Sequence, residues 1–555
     1  MRRSVAALSV CLVLAPLAVG LTGCGAADSR MMPSSPRSSN EAYAGGAYPQ
    51  QPSYAGAQAS YPGAPPPSVA PMPGMPGDMP AAPVAIAKPA AEPVGTEHFQ
   101  DHGVNPVVDA SRDRLSTFAI DVDTASYTIS RRKLTEGTLP PFASVRVEEY
   151  VNFFRYGYEA PSQKPFAVYT DAAPSPFTPG HHLLRVGLQG KKIQASERTP
   201  VHLVYLVDTS GSMQGTDRMD LAKKSLRTLT DKLKTGDTVA ICTYAGGVEK
   251  ILDPTGIDQR ERIVAAIDRL RAGGSTAMGD GIAMAYDLAK KTLVKNHVNR
   301  VVVLSDGDAN VGRTSGEELK KIIRGHRGEG ITLSTVGFGS GNYKDAMMEQ
   351  LADSGDGNYT YIDSEEQSRR VFGEQVDGLL QVIARDVKIQ VELDPTVVAT
   401  YRLLGYENRD IADKDFRNDK VDAGEVGSGH TVTAMYDVVL KTTDKSPVTV
   451  RVRHKAPTGS ERAEESVFPM LVANIAKSFE GASPDFRFAA SVAGFAEVLR
   501  KSPHAAEWRL DKIATLAQGA SQGRSERLEL VSLVNRAAEL SGQKKADGTG
   551  VAVAH

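Results

Sequence analysis

The chain has 555 residues, with 64 Lys and Arg against 66 Asp and Glu and a formal net charge of -2. That length accommodates several domains. The near-neutral balance argues against a nucleic-acid binder, which carries a basic excess, and matches an ordinary soluble body.

Residues 1–24 stand apart from that body. Arg2 and Arg3 give a positive start, Val5 to Leu21 is a short apolar run, and Leu21-Thr22-Gly23-Cys24 ends it. This is the layout of a secretory signal, and the run is short of a comfortable membrane span. The Leu-x-Gly-Cys ending resembles the bacterial lipoprotein signal. That resemblance implies that Cys24 becomes the first mature residue and carries a lipid. Gly25, where an aspartate is absent, implies sorting to the outer membrane in a bacterium with two membranes, facing either the periplasm or the outside. The three cysteines are Cys11, Cys24 and Cys242. No intramolecular disulfide is therefore available to the mature chain. Cys242, in the run Val239-Ala240-Ile241-Cys242, reads as buried and inert, with no adjacent basic partner to activate it.

Residues 25–100 are expected to be a disordered tether rich in Pro, Ala, Gly and Tyr. Stretches such as Pro65-Pro66-Pro67 and Pro71-Met72-Pro73-Gly74 offer little to bury and resist both helix and sheet. Their role is reach, holding the folded part away from the lipid surface.

Order is expected from about Asn105, in a module spanning 101–198. Leu115 to Tyr127 reads as a strand followed by a capped turn, with Asp123 or Thr124 as the cap. Asp121, Asp123, Thr124 and Ser126 imitate a metal loop but lack its spacing. Ile129–Leu134 and Val145–Phe154 read as helices, the second with apolar residues at three and four. Phe166–Tyr169 and His182–Leu188 read as strands.

Strands and helices then alternate from 199 to 365. His202–Val207, Thr238–Tyr244, Arg300–Leu304, Ile331–Gly337 and Tyr359–Ile362 read as strands. Met219–Leu233, Gln259–Leu270, Met278–Leu293 and Glu317–Arg324 read as helices. Near-continuous apolar strands between amphipathic helices predict an α/β fold, a central and mostly parallel sheet covered on both faces. Ligands in such folds bind beyond the carboxyl ends of strands. Three stretches lie there: Asp208-Thr209-Ser210-Gly211-Ser212, Gly273-Gly274-Ser275-Thr276, and Ser305-Asp306-Gly307-Asp308. An acid with alternating hydroxyls at a strand tip suits a hard divalent ion.

The three stretches in this order resemble the metal-ion-dependent adhesion site of von Willebrand factor A (VWA) domains, whose sheet is Rossmann-like. The resemblance implies Asp208, Ser210, Ser212, Thr276 and Asp306 as ligands, with Asp306 acting directly or through water. Gly211, Gly274, Ser275 and Asp308 would form the rim. The expected ion is Mg²⁺, with Mn²⁺ or Ca²⁺ as alternatives. The segment Ser116-Thr117-Phe118 to Tyr127, continuing to Pro161, resembles the module that precedes the A domain in a family of bacterial lipoproteins. The stretches Gly405–Arg409 and Lys420–Ala434 resemble the module that follows it. Competing chemistries lack their signatures. There is no Gly-x-x-x-x-Gly-Lys-Ser/Thr and no Gly-x-Gly-x-x-Gly after the first strand. There is no Asp-x-Asp at the Asp208 strand tip for a phosphatase, and no Gly-x-Ser-x-Gly with a late histidine for a serine hydrolase. His297 and His326 read as exposed.

Residues 366–465 are expected to be a linking helix (Ser368–Ile383) and a β-rich module. Val387–Leu393 alternates as a half-buried strand. Val397–Leu404, Thr431–Leu440 and Pro447–Arg453 are the makings of a small antiparallel sheet. The acids Asp415, Asp419, Asp422 and Glu425 do not fit an EF-hand spacing and read as a solvated loop. Residues 466–541 read as helices over Phe468–Phe479, Phe486–Leu499, Arg509–Ala517 and Ser525–Leu540, followed by a disordered tail at 542–555. The functional expectation is a lipid-anchored, non-enzymatic envelope protein. It would bind a protein partner by letting an acidic side chain replace a water on the ion. The alternative is an assembly scaffold in which the ion only holds the loops.

Overall fold

The computed structural model describes residues 97–194, 196–275, 278–307, 315–340, 343–457 and 462–543. The expected signal with Cys24, most of the expected tether, Thr276, Asp308 and the last twelve residues lie outside the described residues.

Six strands form the central sheet. Their order is Tyr359–Tyr361, Ile331–Gly337, Val298–Ser305, Val201–Asp208, Thr238–Tyr244 and Val248–Gly256. All neighbours are parallel except the last pair. Every residue of Val201–Asp208 is buried, because helices cover both faces. Its alternate side chains divide accordingly. Leu203, Tyr205 and Val207 meet Leu226, Leu229, Ile263 and Ile267 on one side. Val204 and Leu206 meet Met278, Ile282, Leu319 and Ile323 on the other. The helix Leu221–Thr230 buries Ala222, Leu226 and Leu229, at spacings of four and three, which is one helical face. Two elements were not foreseen from sequence: the edge strand Val248–Gly256 and the helix Asp345–Ser354. The strand contains Pro254 and exposed charges, which suit an edge.

Two antiparallel sheets pack beside this domain. One has the order Val108–Asp109, Val398–Leu404, Thr431–Leu440, His182–Gly190, Phe166–Pro174. The other has Val426–Gly427, Val382–Leu393, Val448–Lys455, Glu464–Pro469, with Leu115–Ala119 also on Val382–Leu393. Leu184, Val186, Tyr436 and Val438 of the first share a core with Phe118, Ile389, Val391 and Val450 of the second. Stretches that flank the central sheet in the chain are thus neighbours in space: Phe118 pairs with Ile389 and Val186 with Ala434. The strands expected as one small sheet are divided between two. Val382–Leu393 is buried on both faces over most of its length instead of alternating, because it lies between other strands and under the sandwich core.

The helices Ala125–Thr135, Val147–Phe153, Pro484–Leu499, Leu510–Ala520 and Ser525–Leu540 build a third core. Tyr127, Tyr150, Phe153, Phe488 and Phe495 lie at its centre. Two expected helices are corrected. Ser368–Ile383 is not one helix: a short α turn, a π-helical stretch Arg369–Glu374 and Val376–Leu380 lead into the strand at Val382. Its apolar stripe serves two cores, with Val371, Val376 and Leu380 on the central sheet and Ile383 in the sandwich. Phe468–Phe479 is not helical either. Glu464–Pro469 is an edge strand, with Phe468 opposite Val450, and only Val472–Asn474 forms a 3-10 turn. The histidines are half-buried, not exposed. His326 stacks on Tyr286, and His297 hydrogen-bonds His202 at 3.0 Å. Cys242 is buried, and burial pushes its thiol up to about 12. No described helix is long and apolar enough to cross a membrane.

Candidate functional site

The two middle strands of the central sheet run side by side and end at the same edge, so Asp208 and Asp306 arrive together. The glycine-rich stretch is stitched to the first loop by backbone bonds. Gly273 N donates to Thr209 O at 2.7 Å, and Gly211 N donates to Gly274 O at 3.0 Å. Gly274 has φ +102, and a Cβ there would sit 3.2 Å from Gly246 N, so both the conformation and the space require glycine.

The acids form a floor and the rim is open. Asp208 is fully buried, Ser210 is 1 % exposed and Asp306 6 %. Gly211, Gly273, Gly274 and Ser275 are exposed, and Ser212 is half-buried. Asp208 Oδ1 accepts from Ser210 N at 2.8 Å, and Oδ2 accepts from Ser305 Oγ at 2.9 Å. The hydroxyls of Ser210 and Ser212 lie 2.8 Å apart. Among the described residues no basic side chain pairs with Asp208; its donors are neutral. Burial, with the Asp306 charge adding to it, raises its carboxyl above the usual range. A buried carboxylate without a cation is costly. The donor set, two acids and at least two hydroxyls, therefore fits a hard divalent cation. Thr276 and Asp308 are outside the described residues.

Two contributors were missed in the sequence. Ser305 anchors Asp208 and also accepts from Gly307 N at 3.0 Å. Its signal was a lone hydroxyl closing an apolar strand. Arg218 donates to Ser212 O at 2.9 Å and also to Ser340 O, strapping two loops together. Nothing local marks it. Gly307, at φ +73, packs against Tyr343, and its Cβ position is 2.9 Å from Lys344 N. His98 N in turn donates to Tyr343 O at 3.0 Å, and Glu97 pairs with Arg132 and Lys133 at 2.8 and 2.7 Å. The chain thus enters the folded body at Tyr343, the residue that packs against Gly307.

The acid-rich turn at 121–126 serves a different purpose. Thr124 occupies the helix N-cap position but makes no side-chain cap bond. Asp123 Oδ1 accepts from Tyr359 N at 2.9 Å. Arg409 lies against Asp121, Asp123, Glu349 and Asp353 at 3.1, 3.4, 3.3 and 2.8 Å. Arg146 likewise meets Glu149 and, at 2.6 Å, Asp345. These guanidiniums neutralise the turn and clamp the Asp345–Ser354 helix of the central domain to the flanking segments. In the loop read as solvated, Asp419 pairs with Arg453 at 2.7 Å, Asp422 pairs with Arg327, and Glu425 is half-buried. Among the described residues no group of three or more His, Cys, Asp or Glu is arranged to hold a metal ion. The Asp208 loops supply only two acids and otherwise hydroxyls.

Comparison with known proteins matches three family descriptions to parts of the chain. The family described as von Willebrand factor type A domain matches residues 203–309, and that described as von Willebrand factor matches 93–185. The family described as Uncharacterized protein YfbK, C-terminal, matches 378–449 and 442–540. The chain is 35% identical to YfbK of Escherichia coli (strain K12) over 480 residues, covering 80% of this chain and 82% of that protein. It is 26% identical to inter-alpha-trypsin inhibitor heavy chain H3 of Bos taurus over 204 residues, 35% of this chain and 22% of that one. Among solved structures it is similar to a von Willebrand factor type A protein from Catenulispora acidiphila. That match has 17% identity and a TM-score of 0.40, covering 68% of this chain and 91% of the other.

Proposed function

Because the chain belongs to the family of von Willebrand factor type A domain proteins that includes YfbK of Escherichia coli, we propose that it is a lipid-anchored envelope protein that binds a protein partner through a divalent cation. Asp208, Ser210, Ser212, Thr276 and Asp306 would hold the ion, with Gly211, Gly274, Ser275 and Asp308 at the rim. The observation that carries this reading is the Asp208 carboxylate, fully buried without a basic partner among the described residues, beneath a rim of exposed loop backbone. A bound Mg²⁺ supplies the missing positive charge and a coordination position for an incoming carboxylate.

The chain's own residues do the rest. Ser305 and the Ser210 N–H hold both Asp208 oxygens in place. Arg218 fixes the Ser212 carbonyl and so the loop that carries that hydroxyl. The Gly211–Gly274 bond keeps the second loop against the first. A site so held needs little reorganisation on binding. The partner chemistry this favours is an exposed Asp or Glu side chain. The reading is of a binding module, not an enzyme.

Anchoring rests on the sequence Leu21-Thr22-Gly23-Cys24, with Cys24 as the lipidated residue and the outer membrane as its destination. Residues 25–100 would supply reach. The parts would be a module at 101–198, the A domain at 199–365, a β-rich module at 366–465 and helices at 466–541. The test is binding of Mg²⁺ to the purified full chain by calorimetry, beside capture of envelope proteins in Mg²⁺, in chelator and with Asp208→Ala. A partner held by the intact chain in Mg²⁺ and by neither control supports ion-bridged recognition. A partner retained in all three conditions overturns it and moves recognition to the flanking sheets.

A further inference from the structure

A second cavity, of about 270 Å³, lies where the connector leaving the central domain crosses the sandwich. Among the described residues, none of the ion loops lines it. Its walls carry Arg155, Lys192, Arg370 and His430, with Thr360 and Gln375 among the uncharged polar groups. Its volume lies just below the range for small-molecule sites, ~300–1,000 Å³.

The charges in this cavity are unusually placed. Arg370 is half-buried, its guanidinium carbon 3.8 Å from the Phe153 ring centroid, and it donates to the Phe153 carbonyl. Among the described residues it pairs with no carboxylate. Its neighbour Arg131, by contrast, is matched by Asp363 at 2.6 Å and Glu529 at 3.3 Å. Arg155 and Lys192 are exposed at the rim, and neither pairs directly with the two lining acids, Glu374 and Asp377, which are also exposed. Arg300, buried behind the wall, donates to the Leu379 carbonyl and adds further positive charge. His430 Nδ1 accepts from Gly427 N at 3.3 Å, so a neutral ring carries its proton on Nε2, the nitrogen that lies against Gly378 of the cavity lining.

The electrostatics agree with this geometry. Burial pulls the Arg370 guanidinium down to about 10; Tyr127 and Glu526 oppose this, and Arg131 and Arg155 push the same way as burial. Burial, then Arg155 and Arg300, lowers His430 to about 4, which keeps it neutral. An incoming negative charge would relieve each of these repulsions, whereas a cation would add to them.

We propose that this cavity binds a small hydroxylated anion, a carboxylate or a phosphate, with Arg370 as its principal charge partner. The hydroxyl and amide lining suits a polyhydroxylated body, and the guanidinium suits the planar or tetrahedral anion. The test is calorimetry on the full chain in chelator, which separates it from the ion loops. The probes are glucuronate, glucose 6-phosphate and inorganic phosphate, with glucose as the uncharged control. The expected result is binding of glucuronate or glucose 6-phosphate, none of glucose, and about tenfold or greater weakening in Arg370→Gln, the equivalent of ~1.4 kcal/mol. The two hydroxylated probes decide between carboxylate and phosphate. If Arg370→Gln does not fold by circular dichroism, Arg155→Gln and Lys192→Gln replace it, both at exposed positions, and each should weaken binding. No binding of any anion at about 10 mM, equal binding of glucose, or folded variants that bind like the parent would each overturn the proposal.

Discussion

Replacing Asp208 by asparagine should separate the charge of the loop floor from its shape. The amide oxygen can still accept from Ser210 N, and the amide nitrogen can donate to Ser305 Oγ, so both hydrogen bonds of the carboxylate have a counterpart. In chelator the variant should therefore lie within about 1 kcal/mol of the parent, the worth of one ordinary hydrogen bond. In Mg²⁺ the two should part. A ligand at a hundredfold its Kd stabilises the native state by about 2.7 kcal/mol. For a folded body of roughly 450 residues, an unfolding entropy of about 2.1 cal/mol/K per residue converts that to ~3 °C in Tm. Thermal unfolding of the full chain, with and without Mg²⁺, measures it. The parent should gain ~3 °C and Asp208→Asn should gain nothing. An equal gain in both, or none in the parent at saturating Mg²⁺, would refute the assignment of Asp208 as the floor of an ion site.

Three further outcomes follow from the packing and the sequence. Glu497 is fully buried between Arg402, at 2.9 Å, and Arg500. Glu497→Ala strands the buried Arg402 guanidinium and leaves Arg500 with Glu407 alone, and should cost ~3–5 kcal/mol in denaturant titration, whereas Glu365→Ala, on an exposed pair with Lys224, should leave the midpoint unchanged. Glu148 is buried against Glu407 and Asp121 and accepts from Tyr406 N at 2.9 Å; burial first, then those acids, pushes it up to about 7 from an ordinary 4.5. Between those values the folded state holds a proton that the unfolded state has lost, so this group's contribution to stability falls as pH rises from 4.5 to about 7 and is flat above. Glu148→Gln should flatten that part of the urea-midpoint profile; an unchanged slope would mean the charge is compensated elsewhere. Cys24→Ser should abolish incorporation of labelled fatty acid and release the chain from the membrane fraction, and lipid labelling that survives the change would disprove the anchor.

Much of the central domain could be read locally. A strand buried on both faces is an unbroken apolar run, and Val201–Asp208 and Val298–Ser305 are such runs. Their parallel pairing then brings the acids that close them to one edge. The helix Leu221–Thr230 was equally plain, because one face repeats at three and four. The flanking regions were harder to read, since an apolar stripe says that a residue is buried but not against what. The stripe from Val371 to Ile383 looked like one helix because its residues serve two cores in turn. Phe468 looked helical because its partner, Val450, lies across a strand pair and not on the next turn.

The sequence by itself determined the alternation of elements and the placement of the Asp208 and Asp306 loops at strand ends. The tertiary structure decided what those features do for one another. Arg409 neutralises Asp121 and Asp123 from 288 and 286 residues away, so an apparent metal loop is a salt-bridged clamp between segments. Strands on either side of the central domain share both sheets. Ser305 and Arg218 fix the candidate ion loops through contacts that span 97 and 122 residues. Local patterning reflects solvent exposure, which each residue carries in its own chemistry. Charge pairing and strand neighbours depend on which distant residue arrives, and only the folded chain specifies that.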